Sequence, residues 1–164
     1  MKKAWPGISA VGAAVILFLA YRQLFPDDES AIRHEFQQLA RIASALPNEA
    51  PIARLAKAQR LAGFFARDAV VTISSHGVGT LEGRDQLVQA AAVTRANLQQ
   101  LRIQFPDIQV TLNPGRQSAQ VDVVALAEIN GDKNPEVFEF RGSLDKQDGR
   151  WFITRLDSVK NLGQ

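Results

Sequence analysis

The chain of 164 residues contains no cysteine, one tyrosine, one methionine and two histidines. Without cysteine there is no disulfide framework, thiolate metal site, cysteine nucleophile or lipid-modified N-terminal cysteine. Charge of one sign is also scarce. The formal net charge is only +2, from 19 Lys+Arg against 17 Asp+Glu. Residues 1–26 hold Lys2, Lys3 and Arg22 and no acid, which leaves 16 of the 19 basic residues against all 17 acidic ones in 27–164, a net of −1. Basic residues beyond position 26 alternate with acids, as in Arg33/Glu35, Arg67/Asp68 and Arg84/Asp85. Phosphate binding through counterion release needs clustered positive charge, so no nucleic-acid role is expected. With 46% hydrophobic and 22% charged residues, the chain has the composition of a folded domain.

The one long uncharged stretch lies at the start. Residues 4–21 carry no charge and include the unbroken apolar run 13–21. As a helix the stretch would reach about 27 Å, enough for a hydrocarbon core. Trp5 and Tyr21 stand at its two ends, where amphipathic rings favour the headgroup region, and Pro6 falls in the first turn. A cleaved signal peptide shares the basic start and apolar middle. Neither Phe18-Leu19-Ala20 nor Tyr21-Arg22-Gln23 offers the small-x-small pattern of a cleavage site, so an uncleaved anchor is expected. Lys2 and Lys3 ahead of the span, with Asp27, Asp28 and Glu29 behind Arg22, orient the N-terminus inward. In a bacterial cell this places the span in the inner membrane and the C-terminal domain in the periplasm; secretion after cleavage is the alternative. The expected organisation is therefore an anchor and hinge over 1–26 and one domain over 27–164.

Within that domain, Ile32, Phe36, Leu39, Ala43 and Leu46 recur at helical spacing behind Glu29 and Ser30, with Pro47 as the stop. A second helix is expected from Pro51, with Ile52, Leu55, Ala56, Ala62 and Phe65 on one face. The β-branched run 68–75 predicts a strand, and Val78, Thr80 and Leu81 among glycines a short second one. A third helix starts at Arg84, with Leu87, Val88, Ala91, Ala92, Arg95 and Leu98 at helical spacing; its alanines predict close packing on a sheet. Four strand-like runs follow: 101–112, with a bulge or edge position at Pro106, then 121–129, 137–144 and 151–159, the last two joined by Asp148-Gly149. This is an α+β order, with about three helices on one face of a mixed or antiparallel sheet.

Three stretches carry a resemblance. The paired helices lead into Phe64-Phe65-Ala66-Arg67-Asp68-Ala69-Val70-Val71, the segment Leu81-Glu82-Gly83-Arg84-Asp85-Gln86-Leu87 opens the third helix, and Asp148-Gly149-Arg150-Trp151-Phe152-Ile153 forms the closing hairpin. In this order and spacing they resemble the NTF2-like or SnoaL-like superfamily over roughly residues 28–162. The resemblance implies a cystatin-like cone, a curved sheet wrapped on its helices around an apolar pocket. It also implies a membership of isomerases, dehydratases, polyketide cyclases and epoxide hydrolases beside non-catalytic ligand-binding or interaction modules. Fold alone does not choose among these.

The side chains narrow the choice. Isomerases of the ketosteroid type use a tyrosine donor, and the one tyrosine here, Tyr21, lies inside the expected anchor. Histidine with a carboxylate serves cyclases and dehydratases. His34 falls off the Ile32/Phe36/Leu39 stripe and reads as a solvated surface residue. His76 follows the first strand, either at the pocket mouth or as an ordinary turn residue. Epoxide-hydrolase-like relatives activate water with an Asp-Arg-Asp arrangement. By period two, Glu139 and Arg141 share one strand face and Arg155 and Asp157 another, with Asp122 within reach. Cross-strand salt pairing on an exposed face is the plainer reading of this set. Phe138, Phe140, Phe152 and Leu156 form the more apolar alternate set, while Trp151, Ile153 and Val159 share the Arg155/Asp157 face. A sheet apolar on both faces is what a homodimer or partner interface would produce.

The candidates are thus His76, Arg141 and Asp157 for catalysis, and Phe64, Phe65 and Trp151 for a ligand pocket. No cofactor or metal is expected, since two distant histidines and no tight carboxylate cluster fall short of a ligand set. The reading is a membrane-anchored domain that binds a small apolar ligand or another protein without catalysis; the alternative is a SnoaL-like hydrolase, isomerase or cyclase acting on an apolar substrate.

Overall fold

A computed structural model describes residues 27–74 and 79–159. The expected anchor at 4–21 and His76 lie outside the described residues. Among the described residues, no helix is long and apolar enough to cross a membrane.

Helix α1 (Asp28–Ala43) buries Ile32, Phe36, Leu39, Ala40 and Ile42, an apolar stripe at intervals of three and four. It begins two residues before Ser30 and ends well before Pro47. The reason for the early stop is sheet pairing: Ala45 N–H donates to Leu101 O at 2.7 Å and Leu101 N–H to Ala45 O at 3.0 Å. These bonds pull the chain into extended form.

Helix α2 (Pro51–Ala62) starts with proline at its first turn, where no N–H is needed. Its buried face differs from the expected one. Ile52 and Leu55 are exposed, at 81% and 48%, while Ala58 and Ala62 are buried. Lys57, one turn before Leu61, reaches the carboxylate of Glu49.

The remaining elements are β1 (Phe65–Ile73), β2 (Gly79–Glu82), α3 (Gly83–Asn97), β3 (Leu101–Leu112), β4 (Ser118–Ile129), β5 (Glu136–Gln147) and β6 (Arg150–Ser158). They form one six-stranded sheet in the order β2-β1-β6-β5-β4-β3. β1 runs parallel to β6 and every other pair is antiparallel. β3 is an edge strand, and its register to β4 shifts between Gln104 and Asp107, around Pro106. A proline donates nothing to a ladder, so edge and bulge occur together here. At the β5–β6 hairpin, Asp148 and Gly149 both hold positive φ (50° and 78°), the left-handed pair that a two-residue turn matched to sheet twist requires.

A second bulge reorganises β6. Ser143 pairs with Arg155 but Leu144 with Ile153, so β6 spends one extra residue, Thr154, whose Oγ1 donates to Ser143 O at 3.1 Å. Strict alternation along β6 therefore fails. Trp151 and Ile153 face inward on one side of the bulge, both 4% exposed, and Leu156 faces inward on the other. Phe152, grouped with the core by period two, turns outward, half-buried between the guanidiniums of Arg84 and Arg150 at 5.7 and 5.3 Å from its ring. The mixture of apolar residues on both faces, which motivates a sheet-face homodimer, comes largely from this change of phase.

The helices cover the inner face of the sheet. Along β4, Ala119, Val121, Val123, Ala125 and Ala127 are all buried while Gln120 and Asp122 are exposed. At the α1 N-terminal side the layers are close-packed. A Cβ on Gly142 would stand 3.1 Å from Val121 Cγ2, Leu156 Cδ1 and Arg155 O. Towards the other end the layers part.

Candidate functional site

The parting leaves a cavity of about 450 Å³ between the helices and the sheet. Its walls are Phe36, Leu39 and Ala43 of α1, Leu87, Ala90 and Ala91 of α3, Phe65 and Val71 of β1, and inward residues of β3 to β6, among them Phe105, Ala125, Phe138 and Phe140. Small residues make the space. The α3 alanines, expected to pack closely on the sheet, instead stand opposite Ala125 and Ala127 and hold the cavity open. A volume of this size suits a small organic molecule. A wider recess of about 660 Å³ lies between α1 and β3, bordered by Gln37, Arg41, Gln100, Arg102 and Gln104 together with Ala40, Leu46 and Phe105.

Three lining residues are polar or charged: Thr94, Arg95 and Glu136. Glu136 is exposed at the start of β5 and has an interaction of its own. Arg95, only 3% exposed, is the buried charged residue of the described chain. Its Nη1 donates to Glu49 Oε2 at 2.9 Å, and its Nη2 donates to Ile42 O and, at 3.2 Å, to Ser44 O. The guanidinium thus satisfies carbonyls left open where α1 ends, a common need of helix C-termini. Glu49 also accepts from Lys57 Nζ. Burial pushes the Glu49 carboxyl up, but the bonds and charges of Lys57 and Arg95 outweigh it and hold the group below its ordinary value. Nothing in this cluster is a free general base.

Of the pocket candidates, Phe65 lines the cavity. Phe64 is half-buried against the core beside it, outside the lining. Trp151 lies elsewhere, buried beneath Lys146, whose Nζ sits 5.6 Å from the ring and 2.5 Å from Asp28 Oδ1. The Lys146 hydrogen bond lowers the Asp28 carboxyl against the effect of burial, helped by Lys146 charge, the nearby indole and Arg116. The indole Nε1 itself has no partner at hydrogen-bond distance, so its help is weak. Trp151 therefore packs beside the α1 N-terminus, outside the cavity lining.

Arg141 and Asp157 are brought together, on the outer face. Asp122, Arg141, Asp157 and Thr72 are successive partners in one row across β4, β5, β6 and β1. Arg141 Nε donates to Asp122 Oδ1 at 2.8 Å and Arg155 Nε to Asp157 Oδ2 at 2.5 Å, with arginine side chains 68% and 59% exposed. The Asp157 carboxyl is lowered chiefly by its Arg155 bond, against burial and with help from Thr72. Neither Arg141 nor Asp157 lines the cavity. The row is cross-strand salt pairing on an exposed face. His34 is exposed and pairs with Gln38 at 3.0 Å. Among the described residues, no group of three His, Asp or Glu could hold a metal ion.

The buried Arg95–Glu49 pair is barely marked in the sequence. The available signal was an arginine inside the apolar stripe of α3.

The model of the SnoaL-like domain family matches residues 50–157. No curated protein matches the chain. Among solved structures, a candidate scytalone dehydratase from Novosphingobium aromaticivorans is 16% identical, with 81% of this chain and 83% of that one covered at a TM-score of 0.64. An NTF2-like protein with a cystatin-like fold from the same organism is 15% identical, covering 98% and 94%, also at 0.64. A candidate dehydratase of the NTF2-like family from Streptomyces avermitilis is 11% identical, covering 83% and 97%, at 0.63. At such identities the structures speak for the fold, an NTF2-like cone of three helices on a six-stranded mixed sheet. The family match spans well over half the sequence, and the chain belongs to the SnoaL-like domain family.

Proposed function

We propose that the chain is a membrane-anchored SnoaL-like domain, displayed outside the cytoplasm, that holds a small apolar molecule in its cavity without transforming it. The observation that carries the binding half is the cavity: aromatic and aliphatic walls around about 450 Å³, with its one buried charge committed to Glu49 and two backbone carbonyls. Acid–base turnover needs a donor and an acceptor converging on the bound molecule. The Arg95 Nη atoms are bonded to Glu49, Ile42 and Ser44 and Glu136 stands at the exposed rim, so the described lining offers no such pair. The anchoring half is supported by the uncharged stretch 4–21 behind Lys2 and Lys3.

Calorimetric titration of the full-length chain in lipid nanodiscs with acetylnaphthalene, against empty nanodiscs, tests the first half. Binding is expected in the wild type and not in Ala91→Phe, which plugs the cavity; equal heats in both would overturn it. Protease added to intact spheroplasts is expected to digest the C-terminal domain, and a protected domain would overturn the anchor and its orientation.

The second reading is an enzyme, favoured by the two similar structures named as candidate dehydratases. Its acid–base residue would be His76. Chemical change in a cavity-bound compound, lost in His76→Ala, would establish it over simple binding.

A further inference from the structure

Residues 1–26 join the described domain at Asp27, which lies at one end of the sheet. Asp27 Oδ1 accepts from Arg116 Nη2 at 3.0 Å, and Asp28 Oδ1 from Lys146 Nζ at 2.5 Å. Lys146 stands next to Gln147, whose ladder partner is Arg150 at the start of β6. β1 starts at the same end, since Phe65 pairs in parallel with Ile153. So does α3, with the Arg67 carbonyl 3.3 Å from where a Gly83 Cβ would stand. Between these starts and the β5–β6 turn lies a recess of about 500 Å³, lined by Arg67, Arg84 and Arg150 around Phe152. Arg84 Nε donates to Phe65 O at 2.7 Å, which fixes the side chain. A guanidinium over a ring, as Arg84 and Arg150 are over Phe152, keeps its N–H edges for other acceptors. Arg116 and Lys146 are paired with Asp27 and Asp28. Arg67, Arg84 and Arg150 have no ion pair among the described residues. Asp68 and Asp148 also line the recess, so three positive and two negative side chains leave one positive charge there.

We propose that this end of the domain rests on the bilayer that holds the anchor, and that the recess takes the phosphate of an anionic phospholipid between its arginines. This rests on the anchored reading above and adds to it the surface that meets the membrane. Only residues 22–26 separate the uncharged stretch from Asp27, and fully extended they span at most about 18 Å. The recess shares the end of the sheet at which that tether arrives. The 130–134 turn is a strand's length away along β4, roughly 35 Å. Arginine forks fit phosphate oxygens with paired N–H donors. One net charge is worth roughly fivefold in affinity at an anionic surface. That is too little to gather a dissolved phosphate ester, but enough where a short tether concentrates head groups at the recess.

The test is hydrogen exchange of the full-length chain in nanodiscs of phosphatidylcholine, with and without phosphatidylglycerol. In the anionic discs the 147–150 amides are expected to exchange about fivefold more slowly, with those of 130–134 unchanged. Arg67→Gln and Arg150→Gln should each remove the slowing. Arg102→Gln, an equal loss of charge at the opposite end of the sheet, should keep it. Should the recess variants fail to fold, judged by circular dichroism, the wild-type comparison still decides. Equal exchange in both discs, or slowing of 130–134 as well, overturns the head-group site while the anchor stands. Equal slowing by dissolved glycerol phosphate in phosphatidylcholine discs overturns the lipid as its source. A chain that co-elutes with neither kind of disc overturns the anchored reading, and the head-group site with it.

Discussion

Ala119 and Ala125 lie on the same strand and the same face of the sheet, at 1% and 4% exposure, yet only Ala125 borders the cavity. Leucine at either position adds three carbons. At 125 these enter open space between α3 and Phe138, and full burial would stabilise by roughly 2.4 kcal/mol at about 0.8 per carbon. Imperfect fit reduces this to the ~0.5–2 kcal/mol usual for cavity filling. At 119 the neighbours are Leu112 and Leu144 across the ladder, with Leu144 only 1% exposed and neither Ala119 nor Leu144 bordering the cavity. There the same three carbons force rotamers and backbone aside, a cost of about 1–3 kcal/mol. The pair should therefore differ in sign, with a gap of about 3 kcal/mol. In urea, at a slope of about 2 kcal/mol per molar, the midpoints should separate by roughly 1.5 M around the wild type, with the slope unchanged. The assay is equilibrium unfolding followed by far-ultraviolet circular dichroism. Acetylnaphthalene titration of the same proteins supplies the functional arm: Ala125→Leu should abolish binding, and folded Ala119→Leu should keep it. Destabilisation by both substitutions, or stabilisation by both, would refute the division of the interior into a packed end and a hollow end.

The remaining expectations concern the charges. Because the folded chain holds the Glu49 carboxyl below its ordinary value of 4.5, the unfolded chain takes up that proton first as pH falls. Its stabilisation is thus complete above about pH 4.5 and disappears as pH drops through the lowered folded value. Glu49→Gln should cost about 3 kcal/mol at neutral pH, since it leaves Arg95 buried without its counter-charge, and should show a shallower loss of stability in acid; parallel urea midpoints for wild type and variant from pH 7 to 3 would refute it. On the outer face, Arg141→Ala and Asp157→Asn should each change stability by no more than about 0.5 kcal/mol and leave acetylnaphthalene affinity unaltered; a tenfold loss of affinity would show that the row communicates with the cavity.

Much of the fold is legible in local pattern. The stripes of α1 and α3, the Pro106 interruption of β3 and the Asp148-Gly149 turn all follow from helical period, a missing N–H and left-handed backbone. What escapes is non-local. Parallel pairing of β1 with β6 joins Val71 to Leu156 across most of the chain, and neither segment carries a mark of the other. Thr154 is an ordinary strand residue by propensity, and only its extra place opposite Ser143 and Leu144 makes it the point where β6 changes phase. That one residue reverses the facing of Trp151, Phe152 and Ile153 relative to Leu156. In α2 Ile52 is exposed while Ala58 and Ala62 are buried, a facing that depends on what the helix packs against rather than on its own period.

The candidate site divides along a similar line. Phe65, Phe138 and Phe140 are readable as inward residues, whereas the cavity is an absence of atoms created jointly by alanines on α3 and β4. Charge type alone also misleads. Arg141, Arg155 and Asp157 look like chemistry because acids and bases gather at strand register, yet exposed pairs of this kind are individually weak and find their partners within the sheet. Arg95 looks inert because it interrupts an apolar stripe by a single position. Its burial makes it the costlier placement of the two, and the desolvation of a guanidinium is offset only where acceptors surround it. Glu49, Ile42 and Ser44 provide three such acceptors to its two Nη atoms.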